Sequence, residues 1–184
     1  MKKLACLLLV GMLVLSVPAL VTGAAAEEPG QLYVGLGYFL GSVDYATSEV
    51  GIFDDIRPYG GVVRLGAYLV PAVALELRYL DVFGKESESD GDGGKTDFDI
   101  QAILGLVKID LPKTGKAQLY GLLGWASVRL EASDISDRHS GVSYGFGAEA
   151  DITESLFIGA EYNHIVNDES CDIAGFTVLL NRRF

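Results

Sequence analysis

The chain has 184 residues, 49% of them hydrophobic, and its 14 basic and 25 acidic residues give a formal net charge of −11. So acidic a chain offers no basic stripe for a phosphate backbone, which argues against nucleic acid as a partner. Of its two cysteines, Cys6 lies in the N-terminal apolar segment, so Cys171 stands alone in the remainder. No disulfide within the domain is therefore expected.

Residues 1–26 have the pattern of a secretory signal peptide. Two lysines precede an apolar run over residues 4–21, and three alanines ending at Ala26 provide a small-residue cleavage site. We expect residues 1–26 to be removed and residues 27–184 to form one domain. Loss of the two lysines leaves 12 basic and 25 acidic residues, a net charge near −13.

The remainder alternates apolar with small or polar residues, with turn residues between the alternating segments. Eight segments are long enough to cross a bilayer as tilted strands. They are residues 31–41, 59–69, 73–83, 97–109, 117–131, 141–151, 156–165 and 172–184.

The predicted connections alternate in length, as they do in barrels with long loops at one end and short turns at the other. The long ones are residues 42–58, 84–96, 132–140 and 166–171. The short ones are residues 70–72, 110–116 and 152–155. The pattern predicts an all-β fold, an eight-stranded antiparallel up-and-down transmembrane β-barrel.

Alternation within each segment predicts which face meets lipid. In residues 141–151, Tyr144 and Phe146 share one face, whereas Gly145, Gly147 and Glu149 share the other. Bulky apolar residues outside and small or polar residues inside suit a narrow barrel in lipid.

Carrying this register through places six charges in the lumen, because an arginine or lysine facing the bilayer midplane costs roughly 2–4 kcal/mol. We expect a structural ion-pair cluster of Arg64, Glu76, Arg78, Arg129, Glu149 and Glu161. Lys108, Arg182 and His164 depart from the register and are expected to reach the membrane interface from strand ends.

Aromatic residues are expected to mark both interfaces. Outward positions near the long-loop end are Tyr38, Tyr79, Phe98, Tyr144, Phe146, Tyr162 and Phe176. Tyr120 and Phe184 are expected at the opposite end, where the short turns lie, and Trp125 is predicted to fill the lumen.

Several stretches together resemble the small outer-membrane β-barrels, the class of the OmpA transmembrane domain and of the OmpX and Ail proteins. They are residues 120–126 (YGLLGWA), 144–151 (YGFGAEAD), 160–162 (AEY) and the terminal Arg183 and Phe184. The resemblance implies insertion in the outer membrane of a Gram-negative bacterium, with lipids and lipopolysaccharide around it. It also implies that Phe184 is the signal read by the barrel-assembly machinery, although Arg182 stands where such barrels usually carry an apolar residue.

The favoured function is a structural or surface-interaction role, with the lumen closed by side chains and ion pairs and with neither catalysis nor cofactor. A narrow porin-like channel is the first alternative, because many positions predicted to face inward are glycine. These are Gly35, Gly37, Gly66, Gly105, Gly121, Gly145, Gly147, Gly159 and Gly175.

A lipid A-modifying enzyme is the second alternative, since some barrels of this class use exposed histidine and serine. His139 has Asp137 and Ser140 nearby, and His164 follows Asn163, but neither has the spacing of a triad. The predicted loops are acidic, above all residues 86–94 (ESESDGDGG), and divalent cations are possible partners there. The stretch lacks the ordered spacing of a calcium loop, so a solvated loop is the favoured interpretation and no metal site is assigned.

Overall fold

The computed structural model describes residues 28–47, 51–56, 58–82, 98–132, 135–168 and 171–184. The predicted signal peptide and the acidic stretch of residues 86–94 lie outside these ranges. In the described part of the chain, no helix is long and apolar enough to cross a membrane.

Nine antiparallel strands follow one another along the chain. They are β1 (Leu32–Thr47), β2 (Gly51–Ile56), β3 (Tyr59–Val70), β4 (Val73–Val82), β5 (Phe98–Asp110), β6 (Ala117–Ala132), β7 (Ile135–Asp151), β8 (Leu156–Asp168) and β9 (Cys171–Arg183). β1 and β3 to β9 pair with their neighbours, and pairing of β1 with β9 closes the sheet. The predicted eight-stranded barrel is confirmed, and closure satisfies the backbone of every barrel strand without an exposed edge.

The two ends of the barrel differ. At one end, here named the turn end, lie the start of β1, the end of β9 and the short links over residues 71–72, 111–116 and 152–155. Gly115 adopts φ 64° in the second link, a backbone conformation that favours glycine. The opposite end is named the loop end.

At the loop end the strands run further than the sequence predicted. β2 lies within the predicted loop of residues 42–58 and pairs with residues 43–47 of β1. β6 and β7 are separated only by residues 133–134, and β8 and β9 only by residues 169–170. The predicted loops 132–140 and 166–171 are therefore largely strand, so these hairpins are longer than a bilayer crossing requires.

Large apolar side chains cover the outer face of the barrel. Leu65, Leu77, Ile103, Leu123 and Phe146 are each at least half exposed on the isolated chain. A soluble protein would not present so continuous an apolar surface, whereas a membrane barrel needs one to face acyl chains.

β5 and β6 have the opposite register to the prediction. Leu104, Leu106 and Tyr120 point into the lumen, while Leu123 and Trp125 point outward, Trp125 with 56% of its surface exposed. Both faces of these strands are apolar, so alternation alone did not fix their register. Gly105 and Gly121 accordingly lie outside, where an added Cβ would meet no atom within 4 Å.

Candidate functional site: the barrel lumen

Five barrel strands contribute charged side chains to one buried group in the lumen. We call it the polar cluster and define it as Arg64, Glu76, Arg78, Lys108, Glu149 and Glu161. All six residues are at least 96% buried. They lie on β3, β4, β5, β7 and β8, toward the turn end.

Arg78 links two carboxylates. Its Nε donates to Glu76 Oε2 at 2.7 Å, and Nη2 forms a further bond to the same oxygen. Nη1 pairs with Glu161 Oε1, and Nη2 reaches Glu161 Oε2 at 3.2 Å. A guanidinium fork suits two such contacts, which hold β4 against β8 across the lumen.

Arg64 lies among three carboxylates. Its Nε donates to Asn181 Oδ1 at 2.7 Å and its Nη1 donates to Glu76 Oε1 at 3.4 Å. Glu149 Oε2 and Glu161 Oε2 are each 3.8 Å from its guanidinium nitrogens. Its charge therefore compensates carboxylates on β4, β7 and β8.

Lys108 extends the polar cluster toward the turn end. Its Nζ lies 2.9 Å from Glu149 Oε1 and 2.9 Å from Asp110 Oδ1, and it donates to the Tyr68 hydroxyl at 3.0 Å. Tyr68 in turn donates to Asp110 Oδ2 at 2.8 Å. Asp110 is also buried, so the lysine contacts two carboxylates in a place away from water.

Glycines allow two tyrosines to reach the polar cluster. Tyr33 lies against its cross-strand partner Gly66, where an added Cβ would be 2.0 Å from the tyrosine Cζ. Tyr120 lies likewise against Gly147, with a corresponding distance of 2.6 Å. Their hydroxyls donate to carboxylates of the polar cluster: Tyr33 to Glu76, and Tyr120 to Glu161 at 2.8 Å.

A smaller ion-pair group lies at the turn end itself. Arg183 Nη1 is 2.7 Å from Asp151 Oδ1, and Lys113 approaches the other oxygen of Asp151. The Arg183 guanidinium also lies 4.2 Å from the centre of the Phe157 ring. These contacts connect the ends of β7 and β9 to the link between β5 and β6.

Toward the loop end the lumen is mostly apolar, although His139 and Thr177 are also buried there. We call the apolar group here the apolar cluster. It comprises Phe39, Val62, Leu80, Val82, Ile100, Ala102, Leu104, Val128, Leu130, Ile165, Val166 and Ile173, each no more than 8% exposed. The sequence interpretation assigned mainly small and polar residues to the lumen and so missed most of this half. The buried register of β5 and β6 supplies five of its members.

Arg129 is the one predicted cluster residue that the structure places elsewhere. It lies on the outward face of β6 near the loop end and is exposed. The prediction treated Arg129 as a mid-strand charge, which must turn away from lipid. β6 has 16 residues, however, so Arg129 lies near the end of a strand longer than a bilayer crossing.

Lys108 also differs from the prediction, but in the opposite sense to Arg129. It was expected to reach the interface but is fully buried in the lumen. The rule that sent other charges inward would have found it, and with it the true register of β5.

The groupings read from the sequence around the two histidines are found only in part. His139 Nε2 is 3.3 Å from Asp137 Oδ2, while the adjacent Ser140 is on the opposite, outward face of β7. His164 Nδ1 is 2.8 Å from the Tyr144 hydroxyl, and Nε2 is 2.5 Å from Asp172 Oδ1. Asn163 instead points inward and donates to Glu161.

What the polar cluster can do chemically follows from its pairing. Each of its three carboxylates lies within 4 Å of at least two cationic groups, and each is buried. Carboxylates that are buried and compensated by several cations suit a structural network better than acid–base chemistry. Within the described ranges, no three His, Cys, Asp or Glu residues converge as metal ligands.

Comparisons with known proteins agree with this architecture. Residues 7–184 match the family model "Outer membrane protein beta-barrel domain". Comparison of the sequence with curated proteins gives no match. Among solved structures, Ail of Yersinia pestis aligns with 17% identity and a TM-score of 0.62 over 85% of this chain and 99% of that one.

Two further structures share the fold at low identity. Neisserial surface protein A aligns with 14% identity and a TM-score of 0.58, covering 84% of this chain and 99% of its own. OprG from Pseudomonas aeruginosa aligns with 11% identity and a TM-score of 0.57, covering 86% and 98%. The chain belongs to the outer membrane protein beta-barrel domain family and is an integral protein of the Gram-negative outer membrane.

Proposed function

We propose that this protein is a closed outer-membrane barrel with a structural or surface-interaction role, and that it neither conducts nor catalyses. In this proposal the turn end faces the periplasm and the loop end faces outward, as long hairpins and short turns are arranged in such barrels. The barrel-assembly machinery would read Phe184, whose ring lies 5.4 Å from the Arg182 guanidinium.

The observation that carries the proposal is the pairing of charges across the lumen. Arg78 joins β4 to β8, Arg64 contacts carboxylates on three strands, and Lys108 joins β5 to β7. An eight-stranded barrel has an interior just wide enough for side chains to fill. A group of ion pairs spanning that interior leaves little room for a continuous column of water.

The apolar cluster supports closure in a different way. Its side chains meet one another between the polar cluster and the loop end, and Leu80 and Val128 are at most 2% exposed. An ion entering there would lose most of its hydration and gain few polar partners, His139 and Thr177 among them, and mainly apolar constrictions of this kind block conduction.

The narrow-channel alternative relied on inward glycines, and the structure weakens that argument. Gly105 and Gly121 point outward. Gly66, Gly147 and Gly175 point inward, but the rings of Tyr33, Tyr120 and Phe39 occupy the space beside them. The volume that these glycines leave is filled rather than open.

Conductance across a planar bilayer tests the proposal. Purified protein refolded in detergent and inserted into the bilayer should give no steady current above the leak of the protein-free membrane. Insertion is checked by recovering heat-modifiable protein from matched liposomes. Stable ohmic channels in membranes that contain the folded barrel would instead support the porin-like alternative, with the lumen charges setting ion selectivity.

A further inference from the structure

The wall of the barrel divides at the loop end of β7 and β8. β7 pairs with β6 over residues 135–150, but with β8 only over residues 144–151. β8 in turn continues to pair with β9 as far as Asp168. Beyond the last rung that they share, Tyr144 with His164, the two strands therefore continue in separate sheets. We call this point the fork.

A bulge in β8 lies where its pairing with β7 stops. The register with β9 shifts between His164 and Val166, which leaves Ile165 as an extra residue. A bulge bends its strand and increases the local twist, and here it coincides with the separation of β8 from β7. The hydroxyl of Ser143 on β7 donates to the carbonyl of His164 at 3.0 Å. A side-chain bond thus ends the seam where the backbone ladder stops.

A chain of hydrogen-bonded side chains crosses the seam at the fork, on the outer face of the barrel. The Tyr144 hydroxyl lies 2.8 Å from His164 Nδ1, and His164 Nε2 lies 2.5 Å from Asp172 Oδ1. Because a carboxylate only accepts, Nε2 carries a proton, and Nδ1 of the neutral ring accepts from the tyrosine. The Tyr144 and His164 rings also touch, with centroids 5.1 Å apart. We name these three residues the clasp, which ties β7 to β8 and β9.

The fork leads to the apolar half of the lumen. Ile165 and Val166, directly beyond it on β8, belong to the apolar cluster and are at most 3% exposed. Within the part of the chain that the structure describes, no backbone rung joins these two residues to β7. Packing and the clasp, rather than a ladder of backbone bonds, hold the two sheets together there. Glu149 and Glu161 of the polar cluster lie on paired rungs nearer the turn end.

We propose that the barrel wall opens laterally at the fork, with β6 and β7 separating from β8 and β9, and that the clasp restrains this motion. Local opening costs only the interactions that it breaks, so a seam with a short backbone ladder opens before its neighbours. The first rungs to part are Tyr144 with His164 and Phe146 with Tyr162.

The extent of the opening is limited by the membrane. Backbone groups freed in hydrocarbon would have no partner, whereas water can satisfy them near the interface, where tyrosines such as Tyr144 and Tyr162 lie. The opening therefore exposes the apolar cluster sideways and stops before the polar cluster. Such a motion is compatible with a barrel that does not conduct.

Amide hydrogen exchange of the folded protein in lipid nanodiscs, resolved by NMR, tests the proposal. Amides bonded between β7 and β8 at the first two rungs should exchange at least tenfold faster than amides bonded between β7 and β6 beside them. Both sets lie at one depth in the membrane, so access of water does not explain a difference between them. Equal protection on the two sides of β7 would overturn the fork as the site of opening.

Y144F and H164F test the clasp. Each variant keeps a ring in place but loses hydrogen bonds, so exchange at the fork should accelerate roughly threefold to tenfold. Y38F is the matched control, since it removes the hydroxyl of another exposed tyrosine on β1. Heat-modifiable migration confirms that each variant is folded. Unchanged exchange in H164F, or an equal acceleration in Y38F, would overturn the clasp.

A distance measurement detects the opening directly. Ser42 on β1 and Ser140 on β7 are exposed on the two sides of the fork. Spin labels on S42C/S140C, with Cys171 replaced by serine, report the distance between them by pulsed electron paramagnetic resonance. Two populations are expected, and the longer distance should gain population in H164F. A single narrow distance that H164F leaves unchanged would overturn lateral opening. These outcomes are independent of conductance, so an open lumen would contradict the proposed function without deciding this inference.

Discussion

The two halves of the lumen are filled in opposite ways. Toward the turn end, the polar cluster occupies the interior with charges that compensate one another across strands. Toward the loop end, the apolar cluster occupies it with hydrocarbon side chains that require no hydrogen-bond partner. Removing one member of the polar half leaves an unpaired charge, whereas removing one member of the apolar half leaves a cavity, so the two halves should respond differently to substitution.

The largest expected effect comes from Arg78→Ala. This change leaves Glu161 without its closest cation and weakens the compensation of Glu76. Breaking a buried pair costs about 3–5 kcal/mol because the remaining charge stays buried. Urea unfolding in detergent micelles measures the loss. Arg182→Ala, at the membrane-facing turn end, is the control and should change the midpoint far less; equal effects would mean that the lumen charges are not a stabilising network.

The apolar half should respond through packing. Leu80→Ala removes a side chain that is 2% exposed within the apolar cluster. The lost burial and the cavity together should cost roughly 2–5 kcal/mol. Arg78→Ala should be strongly coupled to Glu161→Ala, whereas the loss in Leu80→Ala should simply add to that of Glu161→Ala, since it uncovers no charge. Double-mutant cycles by the same urea titration separate the two cases, and strong coupling of Leu80→Ala to Glu161→Ala would contradict the division of the lumen.

A pair of glycine substitutions distinguishes inward from outward positions. Gly66→Ala would place a Cβ 2.0 Å from the Tyr33 ring and should displace the tyrosine from Glu76. A cost of about 1–3 kcal/mol is expected from such overpacking. Gly105→Ala adds a methyl group where nothing lies within 4 Å, so stability should be unchanged or slightly higher. If Gly105→Ala were the more harmful change, the register of β5 would be wrong.

The smallest perturbation is spectroscopic and requires no substitution. Trp125 is the single tryptophan and faces outward on β6. Brominated lipids in proteoliposomes should therefore quench its fluorescence strongly, whereas a tryptophan inside a closed lumen would be shielded from acyl chains. Acrylamide added to the aqueous phase should quench it weakly. Weak lipid quenching would restore the register that the sequence first suggested.

The sequence predicted the parts of the fold that repeat. Eight alternating segments and their turns specify the barrel, and five of the residues predicted for the lumen lie there together. Alternation could not predict the register of β5, because Leu104 and Leu106 compete with Ile103 and Val107 as the lipid-facing set; within that strand only the charge of Lys108 indicates it. Alternation is informative only where the two faces differ in polarity.

Arg129, Trp125 and Lys108 were predicted on the wrong side of the barrel wall because their positions relative to the strand ends were misjudged. Arg129 and Trp125 were assigned by assuming that all of β6 lies within the bilayer, and its 16 residues exceed that span. Lys108 was assigned to the interface because it falls near a strand end, although its partners Glu149 and Asp110 are on other strands or further along its own. Which end of a strand projects from the membrane depends on the neighbouring strands, and a single strand does not contain that information.

The central claim is that the polar cluster and the apolar cluster each block the lumen, one after the other along its axis. Single-channel conductance of four proteins tests this claim most directly. The set comprises the wild type, the polar variant R78A/E161A, the apolar variant L80S/L104S and the combination of all four changes, each verified as folded by heat-modifiable migration. We expect no steady current for the wild type, which has both clusters, or for either double variant, which keeps one of them. Only the combination should give measurable current. Steady ohmic current through the wild type, or through the polar variant alone at the level of the combination, would contradict it.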